Sequence, residues 1–68
     1  MGTVARVTEI SSTSDKSFED AIAVGVARAD ETLRKIQSAW VKEQQVRVAD
    51  GKVIEYRVNM LVTFVLDE

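Results

Sequence analysis

The sequence predicts an α+β protomer of order β-α-β-β, with a three-stranded antiparallel sheet wrapped around one helix. Three observations carry that expectation. A β-branched run opens the chain, an apolar stripe of helical period follows, and a long final segment alternates apolar and other residues without a break. Sixty-eight residues allow a single domain, residues 1–68.

Residues 3–10, TVARVTEI, read as the first strand, since β-branched side chains suit a pleated, half-buried surface. The polar cluster SSTSDK that follows reads as a loop. Ser17 and Asp20 have the spacing of a capping box, and Glu19 and Asp20 suit the positive end of a helix dipole. The helix is expected from Phe18 to about Gln37, with Phe18, Ala21, Ile22, Gly25, Val26, Ala29, Leu33 and Ile36 along one face. Arg34 and Lys35 then fall in its last turn, and Asp30–Arg34 and Glu31–Lys35 form i,i+4 pairs on the wet face. Gly25 in mid-helix costs about 1 kcal/mol against alanine, which points to a close approach of helix and sheet.

The last third reads as a β-hairpin. ADGK supplies the turn, with Gly51 free to take a positive φ. Ile54, Tyr56, Val58, Met60, Val62, Phe64 and Leu66 form the face that covers the helix, with Tyr56 and Phe64 in the core. The middle strand switches parity, because Ala39 and Val41 are apolar at odd positions and Val46 and Val48 at even ones. A β-bulge near Glu43–Gln44 turns both pairs inward. Ser38, Trp40, Gln45, Arg47 and, on the next strand, Arg57 then share the face away from the helix. Trp40 lies outside the chain's own core.

Composition narrows the function. With no cysteine or histidine, neither a disulfide framework nor an ordinary zinc site is available. A chain of this size buries only about 60% of its unfolded surface, so association is the remaining source of stability. A final strand of about 15 residues spans roughly 50 Å, whereas a compact chain of this length has a radius of gyration near 11 Å. The strand therefore overruns the protomer, and Leu61 and Val65 offer an apolar surface to a neighbouring copy. A net charge of −2 with no basic block argues against nucleic acid as a partner. No apolar run is long enough for a membrane helix, and MGTVARVTEI lacks the pattern of a signal peptide, so a cytoplasmic protein is expected. Without histidine, cysteine or paired carboxylates, an enzyme is not expected.

The segments VARVTEI, SFEDAI, ARADETLR, VKEQQ and EYRVNMLVTFVL, with the length and the turn placement, resemble the dodecins. The resemblance implies a hollow homododecamer with helices outside and sheets lining a cavity. It also implies storage or quenching of a flavin (riboflavin, FMN or FAD), stacked between tryptophans of two subunits and not turned over. In flavin-binding dodecins a tryptophan stands where this chain has Ser38, an arginine where it has Gln45, and a glutamine where it has Arg57. A glycine, phenylalanine and arginine often stand where it has Thr63, Phe64 and Val65. The chain thus resembles a divergent branch, closer to dodecins without the stacking tryptophan, at least one of which binds calcium. No EF-hand-like run is present, so a calcium site would be assembled between subunits from carboxylates and backbone carbonyls.

Trp40 has two readings. Positions 38 and 40 share a strand face about 7 Å apart, so an indole at 40 reaches the same cavity as a planar-ligand platform displaced by a ring's width. Alternatively it packs in a subunit contact, where aromatic residues are enriched. Arg57 reads as a ring-edge or phosphate contact, or as an inter-subunit ion pair with Glu43 or Glu55. Gln44 and Gln45 read as solvated strand residues or as lining of the cavity, and Asp67 and Glu68 as a solvated end. The expectation is a flavin-sequestering shell, with a structural or ion-binding shell as the alternative.

Overall fold

The computed structural model describes residues 2–66. Strand β1 (Ala5–Ser14), helix α1 (Phe18–Thr32), strand β2 (Ile36–Ala49) and strand β3 (Lys52–Val65) follow in that order. The sheet order is β1-β3-β2, with β3 antiparallel to both neighbours. Asp67 and Glu68, expected as a solvated end, lie outside the described residues.

β1 runs four residues beyond its expected end, through the serine cluster read as a loop. Two inward hydroxyls replace apolar side chains there and find partners. Ser12 Oγ donates to the Ala21 carbonyl at 2.7 Å, and Ser14 Oγ donates to Asp20 Oδ2 at 2.6 Å. Ser12 and Ser14 are buried, so bonding to the helix is what lets them adopt strand conformation without an unsatisfied polar group. Ser14 Oγ also accepts from the Lys16 amide at 2.9 Å, which fixes the exit from the strand.

The helix starts where its cap predicts. Ser17 is extended and its Oγ accepts from the Asp20 amide at 2.9 Å. The end differs from expectation: α1 stops at Thr32, and Leu33 caps it by donating its amide to the Ala29 carbonyl at 2.8 Å. Arg34 and Lys35 therefore lie outside the helix, and neither Asp30–Arg34 nor Glu31–Lys35 is a helical i,i+4 pair. The cause is tertiary. Ile36 is needed in β2 opposite Phe64, and Lys35 takes a positive φ of 57° to reverse the chain. Ile36 still lies on the helix side of the molecule, but as a strand residue.

Ala21, Val58, Met60 and Val62 are fully buried between α1 and the sheet. Ile10, Phe18, Ile22, Val26, Ala39 and Val41 pack around them. The Phe18 and Tyr56 rings meet edge to face at 5.1 Å. Gly25 is the point of closest approach, since a β-carbon there would stand 2.7 Å from Met60 Cε and 2.9 Å from Ser12 Cβ.

The hairpin closes on the Ala49–Lys52 pair, and both loop residues have positive φ, 53° at Asp50 and 74° at Gly51. That is the type I′ geometry Asp-Gly favours, because its twist matches the flanking strands. The expected bulge falls between Val41 and Glu43, one position earlier than read, with Lys42 as the extra residue. Its consequence is as expected for three of the four residues: Ala39, Val41 and Val46 stand opposite Val62, Met60 and Tyr56 on the helix side, whereas a further register shift at Arg47/Val48 sets Val48 opposite Val53, where it is 56% exposed. Two further register irregularities, at Ile36/Ser38 and Arg47/Val48, add to the bend. The protomer measures 53 × 20 × 13 Å. A helix of this length is only about 22 Å long, so the hairpin projects well past it.

Candidate functional site

Cross-strand partners share a face, so the register defines the sheet surface opposite α1 row by row. Ser38 stands opposite Thr63, and Trp40 opposite Leu61, which faces Glu9 on its other side. Glu43 stands opposite Asn59, Gln45 opposite Arg57, and Arg47 opposite Glu55. All four residues singled out in the sequence, Ser38, Trp40, Gln45 and Arg57, therefore lie on this one face.

They fall into two groups. Ser38 and Trp40 occupy adjacent rows toward one end, and Trp40 is 73% exposed. Gln45 and Arg57 form a single row nearer the turn. Leu61 and Arg57 are four residues apart on β3, so the groups are separated by about 13 Å along the strands. The row between them is fixed by Asn59 Nδ2 donating to Glu43 Oε1 at 2.8 Å. Glu43 is thus engaged within its own chain, and Glu55 lies opposite Arg47 and not Arg57. Lys42, the bulge residue, reaches across to Glu9 Oε1 at 3.5 Å. With both side chains half-exposed, that pair adds little stability.

Two features escape sequence reasoning. One is a notch of about 190 Å³ lined by Gln45, Val46, Arg47, Glu55 and Arg57. Its signal was Arg47, two residues from Gln45 and so on the same face, but the facing partners follow only from the register through the bulges. The other is a groove of about 420 Å³ between α1 and the edge of β1, lined by Ile10, Ser12, Val24, Gly25 and Arg28 among others. It exists because β1 continues past its expected end. Among the described residues, no three acidic side chains gather in a way that would hold a metal ion, and no helix is long and apolar enough to cross a membrane.

This architecture has known counterparts. The Dodecin family model matches residues 4–67. The chain is 38% identical over 68 residues to Dodecin of Thermus thermophilus, covering 100% of this chain and 99% of the relative. It is 38% identical over 61 residues to Calcium dodecin of Mycobacterium tuberculosis, covering 90% of this chain and 86% of the relative. The solved structure of dodecin from Streptomyces davaonensis superposes with a TM-score of 0.94 at 35% identity, with both chains covered in full. That of the calcium-chelating calcium dodecin from Mycobacterium tuberculosis superposes with a TM-score of 0.82 at 36% identity, covering 96% and 93% of the two chains. Sequence match, strand order and superposition agree along nearly the whole chain, and the chain belongs to the dodecin family.

Proposed function

We propose that this protein is a binding and storage shell, a hollow homododecamer that sequesters a planar ligand of the flavin type and does not turn it over. The observation that carries the reading is Trp40. A large aromatic side chain, 73% exposed, stands on the sheet face away from the helix, in a row adjacent to Ser38. That face is the one the family resemblance assigns to the cavity. The Gln45–Arg57 row adds to it. The resemblance implies an arginine at position 45 and a glutamine at 57; here the two residue types are exchanged between facing strands. The row therefore presents the same amide and guanidinium to a ring edge from one place. In this reading the flavin-binding residues are Trp40 as platform, Gln45 and Arg57 as edge contacts, and Ser38 as the vacated stacking position.

Titration of the purified protein with riboflavin and FMN tests the proposal, after its mass has been checked by light scattering. Twelve protomers of 7.6 kDa give about 91 kDa. Quenching of flavin fluorescence by a particle of that mass, lost in Trp40→Ala, is the expected result. An assembled protein that leaves flavin fluorescence unchanged would overturn it. Ser38→Trp is expected to strengthen quenching, because it supplies an indole in the row next to Trp40.

A second reading follows from the Mycobacterium relative, a calcium dodecin. Glu9 and Glu43 stand in neighbouring rows of the same face and could contribute oxygens to a calcium ion shared between subunits. Calorimetry with calcium separates the readings. Heat of calcium binding with no flavin quenching would favour the ion-binding shell.

A further inference from the structure

The Asp50–Gly51 peptide bond at the hairpin tip carries a chemistry of its own. In an aspartyl-glycyl pair the backbone amide nitrogen readily attacks the preceding side-chain carboxyl, because glycine puts no β-carbon beside that nitrogen. No other aspartate or asparagine in the chain precedes a glycine. Asp50 and Gly51 are exposed, and among the described residues the Asp50 carboxylate has no hydrogen-bond or ion-pair partner. The reaction needs only water. The Gly51 nitrogen bonds to Asp50 Cγ, the carboxyl OH and the amide proton leave as water, and a five-membered succinimide closes. A water molecule then opens the ring at either carbonyl, returning aspartate or leaving isoaspartate, whose main chain runs through Cβ and Cγ. Nothing is oxidised or reduced.

The folded turn withholds this chemistry. Ring closure requires the Gly51 nitrogen to eclipse Asp50 Cβ about the Cα–C bond. Asp50 has a φ of 53°, and the first loop position of a type I′ turn has ψ of roughly +30°, with left-handed residues in general near about +47°. For an L-residue that torsion sets the nitrogen almost opposite Cβ, so nucleophile and carboxyl point apart. The turn is held by its own ladder, since the hairpin runs past the helix and leaves Val48, Val53 and Ile54 exposed. We propose that Asp50 is a modification site, at which the closed turn suppresses isomerisation to isoaspartate and the open hairpin permits it. Isoaspartate lengthens the main chain of the two-residue loop and removes the geometry that sets Ala49 opposite Lys52. The modified chain therefore no longer rebuilds the hairpin in register.

Trypsin cuts after Arg47 and Lys52 and so releases residues 48–52, VADGK, in which aspartate and isoaspartate separate by chromatography. Folded protein and protein held unfolded in guanidinium chloride are incubated side by side for weeks and then digested. Isoaspartate is expected to accumulate in the unfolded sample and at least about tenfold more slowly in the folded one, the ratio reading how seldom the hairpin opens. Equal rates would overturn the shielding, and no isoaspartate in the unfolded sample would overturn the site. Asp50→Asn gives a faster second reading, because asparagine-glycine suits the same turn and its ring closure expels ammonia, so that each event changes the mass. The same contrast between folded and unfolded protein is expected; deamidation at equal rates in both overturns the proposal. Chains carrying isoaspartate, once returned to buffer, are expected to melt at a lower temperature than unmodified chains treated alike. An unchanged midpoint would overturn the loss of register.

Discussion

At Gly25 the absence of a single carbon sets the distance between helix and sheet. A β-carbon would meet Met60 Cε at 2.7 Å and Ser12 Cβ at 2.9 Å. The methionine tip can swing aside, but Ser12 cannot, because its Oγ is held to the Ala21 carbonyl at 2.7 Å. Overpacking of this kind costs about 1–3 kcal/mol, while alanine's better helix propensity returns about 1 kcal/mol. Gly25→Ala is therefore expected to lower stability by about 1 kcal/mol, measured as a drop in urea midpoint at fixed protein concentration. An unchanged midpoint would mean that the helix shifts to accommodate the methyl group. At Trp40 the logic is reversed: with 73% of the residue exposed, its loss removes little from the core of its own chain. Its energetic role lies with whatever covers it.

The elements differ in how openly the sequence declares them. β3 was legible over its central part, since the alternation from Tyr56 to Phe64 admits one face assignment and that face holds the buried Val58, Met60 and Val62. Ile54 and Leu66, read on the same face, are exposed, and Leu66 lies beyond the strand. The hairpin turn was legible too, and it offers a clean test. At Gly51 an added β-carbon would touch nothing within 4 Å, so any effect of Gly51→Ala comes from the backbone at φ 74°. The expected loss is about 1–2 kcal/mol, read as a lower thermal midpoint without loss of compactness. The second half of β1 was hidden because serine and threonine runs read locally as loop. Only the helix supplies the partners of Ser12 and Ser14. The helix C-terminus was hidden for a related reason: Leu33 and Ile36 fit the helical stripe, yet Ile36 pairs with Phe64 in the sheet. The shared face of Ser38, Trp40, Gln45 and Arg57 followed from the parity switch and the bulge it implies, whereas the pairing of Gln45 with Arg57 required the register of the two strands.

On the scale of the whole molecule, shape argues for association. The radius of gyration is 14.1 Å, against about 11 Å for a compact chain of this length. Val46, Val48, Val53 and Ile54 remain exposed where the hairpin runs past the helix, and β1 and β2 each leave one open edge. If copies cover these surfaces, the thermal midpoint should rise with protein concentration, as mass action requires of a folded oligomer. A midpoint independent of concentration, in a particle of 7.6 kDa, would mean that the protomer stands alone. The placement of β3 at the centre of the sheet has a further consequence, for synthesis. The strand made last is the one that both earlier strands need. About fifty residues separate the end of β1 from the end of β3, and a ribosome adds them over several seconds at about 5–20 residues per second. Throughout that interval β1 has no strand to pair with. Growing chains side by side on one messenger RNA would expose the same unpaired edges to one another before any can close.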